Sequence, residues 1–86
     1  MARWGRYVTK DGRGYFEFKI VGVGGHHDIY CPQRPPLNGR EGAVERTHIY
    51  SDNRLCFVAG CEPRTVAEAE RRAMEWAEFY SAYVRE

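Results

Sequence analysis

The chain of 86 residues contains no apolar stretch of the roughly 18 residues that a membrane-spanning helix needs. Its first residues, Met-Ala-Arg-Trp-Gly-Arg, lack the apolar segment of a secretory signal peptide. An excess of positive charge is also missing, since 13 basic residues face 12 acidic ones and the net charge is +1. Binding to a phosphate backbone relies on a clustered basic surface. We therefore expect a cytoplasmic protein that binds neither membranes nor nucleic acid.

Cysteine is scarce, and its spacing is informative. The three cysteines, Cys31, Cys56 and Cys61, make an odd number, which favours reduced thiols over a secreted disulfide framework. The paired Cys-x-x-Cys and His-x-x-x-His motifs of structural zinc sites are absent. Zinc-binding residue types are nevertheless present, so a small zinc-binding domain remains an alternative; they are His26, His27, Asp28, Cys31, His48, Cys56 and Cys61. We expect no other cofactor.

The composition is that of a folded protein, with 43% hydrophobic and 14% aromatic residues. Residues 1–86 are expected to form a single domain. The segment from Arg6 to Val21 predicts a β-hairpin around Asp11-Gly12, a strong turn signal. With that turn Tyr7 pairs with Phe16 and Arg6 with Glu17, and the apolar side chains of Tyr7, Phe16, Phe18 and Ile20 share the face expected to meet the core.

The middle of the chain is rich in glycine and proline, so residues 22–42 are predicted to form an irregular segment with at most a short strand at 28–30. A second hairpin is predicted from residues 46–50 and 54–59 around Ser51-Asp52-Asn53. In its simplest register Tyr50 pairs with Leu55 and Ile49 with Cys56. His48 and Cys56 are then diagonal neighbours, and the turn geometry decides whether their side chains meet.

The C-terminal segment has the clearest pattern. Thr65-x-x-Glu68 is a capping-box motif after Pro63, and apolar residues recur at helical spacing along 65–84, namely Val66, Ala69, Ala73, Trp76, Tyr80 and Tyr83. The charged residues of this helix fall mostly outside that stripe and are expected to face solvent. The predicted fold class is α+β, a small antiparallel sheet of about four strands with this C-terminal helix packed on one face.

Cys56 is the candidate catalytic nucleophile. A thiolate is strongly nucleophilic, and a nearby imidazole such as that of His48 helps to form it. The competing interpretation is structural, since Leu-Cys-Phe-Val is an apolar β-like run and free cysteine is often a small buried hydrophobe. On that interpretation the chain is a non-catalytic protein-binding module with a buried Cys56.

The order of motifs resembles the ubiquitin-conjugating enzyme family, particularly its reduced bacterial relatives, over residues 15–84. Tyr30-Cys-Pro-Gln-Arg-Pro-Pro36 resembles the family's Tyr-Pro-x-x-Pro-Pro element at the end of a strand. The segment His48-Ile-Tyr-Ser-Asp-Asn-Arg-Leu-Cys56 is similar to its active-site segment, and Glu62-Pro-Arg-Thr65 followed by a helix is similar to the part after the cysteine. Where the family has His-Pro-Asn, this chain has His48-Ile49-Tyr50.

The resemblance implies that Cys56 accepts the C-terminus of a ubiquitin-like protein as a thioester and passes it to an amine. His48 would orient or electrostatically assist the thiol. Asn53 or Ser51 would stabilise the oxyanion, because the family's usual asparagine is replaced. The implied partners are a ubiquitin-like protein and an activating enzyme.

Overall fold

The computed structural model of the protein describes residues 2–57 and 60–85. The elements are strands β1 (Ala2–Val8), β2 (Tyr15–Val23) and β3 (His26–Gln33), a short helix α1 (Val44–Thr47) and a long helix α2 (Val66–Arg85). The strands form an antiparallel sheet in the order β1-β2-β3, and α2 packs across one face. The expected α+β class with a C-terminal helix is confirmed. The described part of the chain holds three strands instead of about four.

The first hairpin has the predicted register. Tyr7 pairs with Phe16 and Arg6 with Glu17, and the side chains of Phe16, Phe18 and Ile20 are buried. The tight turn is centred on Lys10-Asp11, one residue earlier than expected. Gly12 N donates to Thr9 O at 2.8 Å, and Gly12 has a φ of 77°. The side chain of Asp11 accepts from Thr9 Oγ1 at 2.7 Å and from Arg13 N at 3.0 Å, which fixes this turn.

The prediction of at most a short strand within residues 22–42 is wrong. β3 runs from His26 to Gln33 and pairs with β2, with a register irregularity between Glu17 and Lys19. The turn that joins the two strands is Gly24-Gly25, both residues having positive φ. The glycines therefore form a tight hairpin turn instead of a long loop.

The second predicted hairpin is also corrected. Residues 44–47 form α1, and Ile49 forms an isolated bridge with Leu55 instead of pairing with Cys56. The segment 53–55 lies along the free edge of β3, where Cys31 N donates to Asn53 O at 2.7 Å and Leu55 N donates to Ile29 O at 2.8 Å. This short edge segment takes the place of the expected fourth strand. Of the predicted strand 54–59, residues 58 and 59 lie outside the described part.

Helix α2 begins one residue later than predicted, and Thr65 is its N-cap. Thr65 Oγ1 accepts from Glu68 N at 3.0 Å, while the Glu68 carboxylate accepts from Arg64 N at 3.1 Å. The buried face contains most of the predicted stripe together with residues that were not predicted; it consists of Ala69, Ala73, Trp76, Ala77, Tyr80, Ser81 and Val84. No helix in the described ranges is long and apolar enough to span a bilayer.

Aromatic packing holds α2 against the sheet. The rings of Trp76 and Tyr80 each meet Phe16 edge-on, with centroid distances of 5.8 and 6.0 Å. Trp76 Nε1 donates a buried hydrogen bond to Thr47 O at 2.8 Å. Because Thr47 directly precedes His48, this bond fixes one end of the segment that leads to Cys56.

Candidate functional site

His48 ends helix α1 in a left-handed conformation, with φ 57° and ψ 35°. Its amide donates to Val44 O at 2.7 Å, and its carbonyl oxygen accepts from Cys56 N at 2.8 Å. The two residues therefore lie opposite each other. This relation is a one-residue shift from the diagonal arrangement that the sequence predicts. The His48 ring is exposed and lies against Phe79, with centroids 5.5 Å apart.

The three cysteines have three different environments. Cys31 is fully buried in the core, and burial raises the pKa of its thiol to about 12. Cys61 is exposed, and Cys56 is partly exposed on a segment outside the regular strands. Cys31 is thus the structural thiol of the apolar core, because its ionisation is strongly disfavoured.

The side chain of Tyr50 lies close enough to Cys56 for the two groups to interact. The interaction with Cys56 raises the pKa of Tyr50 above its ordinary value of 10.0. The guanidinium of Arg54 lies over the Tyr50 ring at 4.6 Å from its centroid, which holds the ring in place. The one-residue register shift places Tyr50 on the same face of the turn as Cys56.

A polar cleft of about 170 Å³ has Tyr50 in its wall and is not lined by Cys56. It is lined by His26, Asp28, Tyr50, Arg54, Leu55, Phe57 and Glu62. His26 Nε2 and Asp28 Oδ1 are 3.2 Å apart across its wall. The cleft therefore combines hydrogen-bond donors with carboxylate acceptors beside Tyr50.

Asn53 lines a different cleft, together with Arg34. Its backbone is left-handed with φ 73°, and its side-chain oxygen accepts from Arg34 Nη1 at 2.9 Å. The same guanidinium nitrogen donates to Cys31 O at 2.8 Å. Asn53 therefore ties the proline-rich segment after β3 to the turn before Cys56. Ser51 lies exposed in that turn.

The zinc-ligand types do not come together in the part of the chain that the structure covers. There, no three histidine, cysteine, aspartate or glutamate side chains form a cluster that could hold a metal ion. His26 and Asp28 form only a pair, and His27 Nδ1 is buried without a hydrogen-bond partner.

Sequence reasoning missed Tyr50 and the His26–Asp28 pair as members of the site. The spacing of His26 and Asp28 is that of two residues on one side of a strand, and it becomes visible only once β3 is known to begin at His26. No sequence motif marks Tyr50 as a neighbour of Cys56, because its proximity to Cys56 depends on a single-residue change in register.

Comparisons of the chain with models of protein families, with curated proteins and with solved structures found no match.

Proposed function

We propose that the protein carries a ubiquitin-like protein as a thioester on Cys56, as a minimal relative of ubiquitin-conjugating enzymes. The supporting observations are the partial exposure of Cys56 on an irregular segment and its interaction with Tyr50, a residue that lines the polar cleft. A partly exposed thiol can be reached by a large acyl donor, whereas the buried thiol of Cys31 cannot.

The proposed reaction is a thioester exchange. The Cys56 thiolate attacks the C-terminal carbonyl carbon of the modifier, which arrives as a thioester on an activating enzyme. A carbon–sulfur bond to Cys56 forms, and the donor sulfur leaves as a thiolate. In the second step a lysine amine attacks the same carbon, the Cys56 thiolate leaves, and the amine loses a proton to water. A thioester retains enough acyl-transfer potential for this amide-forming step.

In this proposal Tyr50 takes the role of hydrogen-bond donor. Each tetrahedral intermediate carries an oxyanion, and a fixed O–H group near the sulfur can stabilise that charge. The pKa of Tyr50 lies above 10.0, so near neutral pH the phenol is protonated, as a donor must be. Asn53 remains a second candidate for this role through its side-chain nitrogen, because its side-chain oxygen is occupied by Arg34.

The proposed role of His48 is positional. Its carbonyl oxygen holds the amide of Cys56, while its ring lies against Phe79. The left-handed conformation of His48 directs the chain from α1 back toward residues 53–56. His48 thus orients the cysteine through the main chain.

Alkylation with iodoacetamide near neutral pH tests the nucleophile, with each cysteine quantified by peptide mass mapping. The exposed Cys61 serves as the reference thiol and the buried Cys31 as the control for unfolding. We expect Cys56 to react faster than Cys61 in the native protein, and the fast phase to disappear in Cys56→Ser. If Cys56 reacts more slowly than Cys61, or only after unfolding, the non-catalytic binding module is the better account.

A further inference from the structure

The two edges of the sheet differ in whether other parts of the chain form backbone hydrogen bonds with them. The edge of β3 is covered by later parts of the chain, since Cys31 and Asn53, Ile29 and Leu55, and His27 and Pro63 are joined by backbone hydrogen bonds. At the edge of β1, no backbone group from elsewhere in residues 2–57 and 60–85 forms such a bond. β1 therefore presents an open row of donors and acceptors.

The register shows which groups form this row. Thr9 N donates to Gly14 O at 2.9 Å, and hydrogen-bonded pairs alternate along an antiparallel ladder. The odd-numbered residues of β1 therefore bond to β2. The N–H and C=O groups of the even-numbered residues point away from the sheet; these residues are Ala2, Trp4, Arg6 and Val8.

β1 has few of the features that protect an edge strand. It has seven residues, contains no proline and keeps an uninterrupted register with β2. Of its two arginines, Arg3 forms an ion pair with Glu70 at 3.1 Å, and Arg6 lies opposite Glu17 in the register with β2. Trp4 is 60% exposed on this strand. A long and regular edge is suited to pairing with another strand.

We propose that a second copy of this chain occupies the edge, with the two β1 strands antiparallel about Gly5. In this register Trp4 lies opposite Arg6 of the second copy, and Arg3 lies opposite Tyr7 of the second copy. Each contact occurs twice by symmetry, so the sheet edge carries four cation–π pairs. The outward-facing groups also match, because even-numbered residues then meet even-numbered residues.

Other registers with the same hydrogen-bonding parity are less favourable. A shift by two residues in one direction sets Arg6 opposite its own counterpart, which is repulsive. The shift in the other direction sets Trp4 opposite its own counterpart and leaves both arginines without an aromatic partner. Each shift also shortens the overlap of the seven-residue strands. Gly5 is therefore the favoured centre of symmetry.

A substitution at Arg6 tests the interface by sedimentation equilibrium. Pairing through one strand is a small interface, so we expect the mean mass to rise with concentration from 10.0 kDa toward twice that value. Arg6→Pro removes an outward-facing amide while sparing the ladder to β2, and it should abolish this rise. Its circular dichroism should match that of the native chain. A wild-type chain that stays at 10.0 kDa, or a folded Arg6→Pro variant that still dimerises, would overturn the proposal.

A cross-link tests the register without depending on the proline variant. Gly5 and its counterpart form a non-hydrogen-bonded pair, whose Cα atoms lie about 4.5 Å apart, within disulfide range. A Cβ at Gly5 meets no atom within 4 Å. In a Cys56→Ser/Cys61→Ser background, Gly5→Cys should oxidise to a covalent dimer and Arg3→Cys should not. Equal cross-linking of the two variants, or none in either, would contradict the pairing about Gly5.

The dimer does not depend on the proposed chemistry of Cys56. The Cys56→Ser variant should therefore show the same concentration dependence of mass as the native chain. A monomeric Cys56→Ser would mean that the interface includes the cysteine segment, against the proposal.

Discussion

The backbone amide of Cys56 donates a 2.8 Å hydrogen bond to the carbonyl oxygen of His48. The bond joins the two ends of the nine-residue segment 48–56, and the first of these ends is fixed by α1. Within it, Tyr50 N donates to Arg54 O at 2.8 Å, so the segment folds back on itself as a tight turn. These backbone hydrogen bonds therefore determine the position of the Cys56 thiol.

Substitutions at His48 separate its backbone from its imidazole. Glycine adopts the left-handed conformation without strain, whereas a β-branched residue there costs about 1–2 kcal/mol. We expect His48→Gly to keep both the fold and the alkylation rate of Cys56, and His48→Val to lower the free energy of unfolding by about that amount. Urea unfolding and iodoacetamide kinetics measure the two effects. If His48→Gly folds normally but alkylation slows strongly, the imidazole acts on the thiol directly.

The ionisation of Tyr50 reports its contact with Cys56. The interaction with Cys56 raises the pKa of Tyr50. Cys56→Ser removes the thiolate, so Tyr50 should ionise at lower pH in that variant. Phenolate absorbance gives the titration, with Tyr50→Phe in each background isolating this residue from the other tyrosines. An unchanged Tyr50 titration in Cys56→Ser would mean that the two side chains do not interact.

The bond from Trp76 to Thr47 is predicted to stabilise both the core and the approach to the site. Trp76→Phe leaves the buried Thr47 carbonyl without its 2.8 Å donor, at a cost of about 1–3 kcal/mol. Tyr83→Phe is the matched control, since it removes an exposed 2.8 Å bond to Glu41 O and should cost less than about 1 kcal/mol. Urea denaturation compares the two, and equal losses would argue against a special role for the tryptophan.

Acid should weaken the first hairpin through Asp11. The amide of Arg13, the hydroxyl of Thr9 and the guanidinium of Arg85 lower the pKa of this carboxyl to about 2. A lowered pKa in the folded state stabilises the protein above the ordinary value of 3.8, and this contribution is lost as the pH falls toward 2. Asp11→Asn should therefore melt below the native chain at neutral pH and nearly with it at pH 2. A constant difference in melting temperature would exclude this linkage.

The elements that the sequence predicts well are those with local signals. Asp11-Gly12 defines the first hairpin, and Thr65 with the spacing around Trp76 defines α2. Helix α1 has no such signal, because its N-cap Ala43 forms no side-chain bond and its end depends on the left-handed His48. β3 likewise lacks a local signal, since its pairing with β2 outweighs the low strand propensity of the glycines and prolines at its ends.

The site was predictable only in part for the same reason. Cys56 and His48 are recognisable as residue types, and their proximity follows from any hairpin around residues 51–53. The partner of the thiol is Tyr50, and that depends on a register that differs by one residue from the simplest one. A single-residue shift moves side chains to the other face, so sequence spacing could not select Tyr50 over Asn53.

Transfer of an acyl group to Cys56 is the most direct test of the account. The native chain is incubated near neutral pH with a synthetic peptide thioester that ends in glycine, and adducts are assigned by mass mapping and by cleavage with hydroxylamine. We predict a hydroxylamine-labile adduct that forms on Cys56 faster than on the exposed Cys61, and more slowly in Tyr50→Phe. Acylation of Cys61 at an equal or higher rate than Cys56 would contradict the assignment of Cys56 as the acyl carrier.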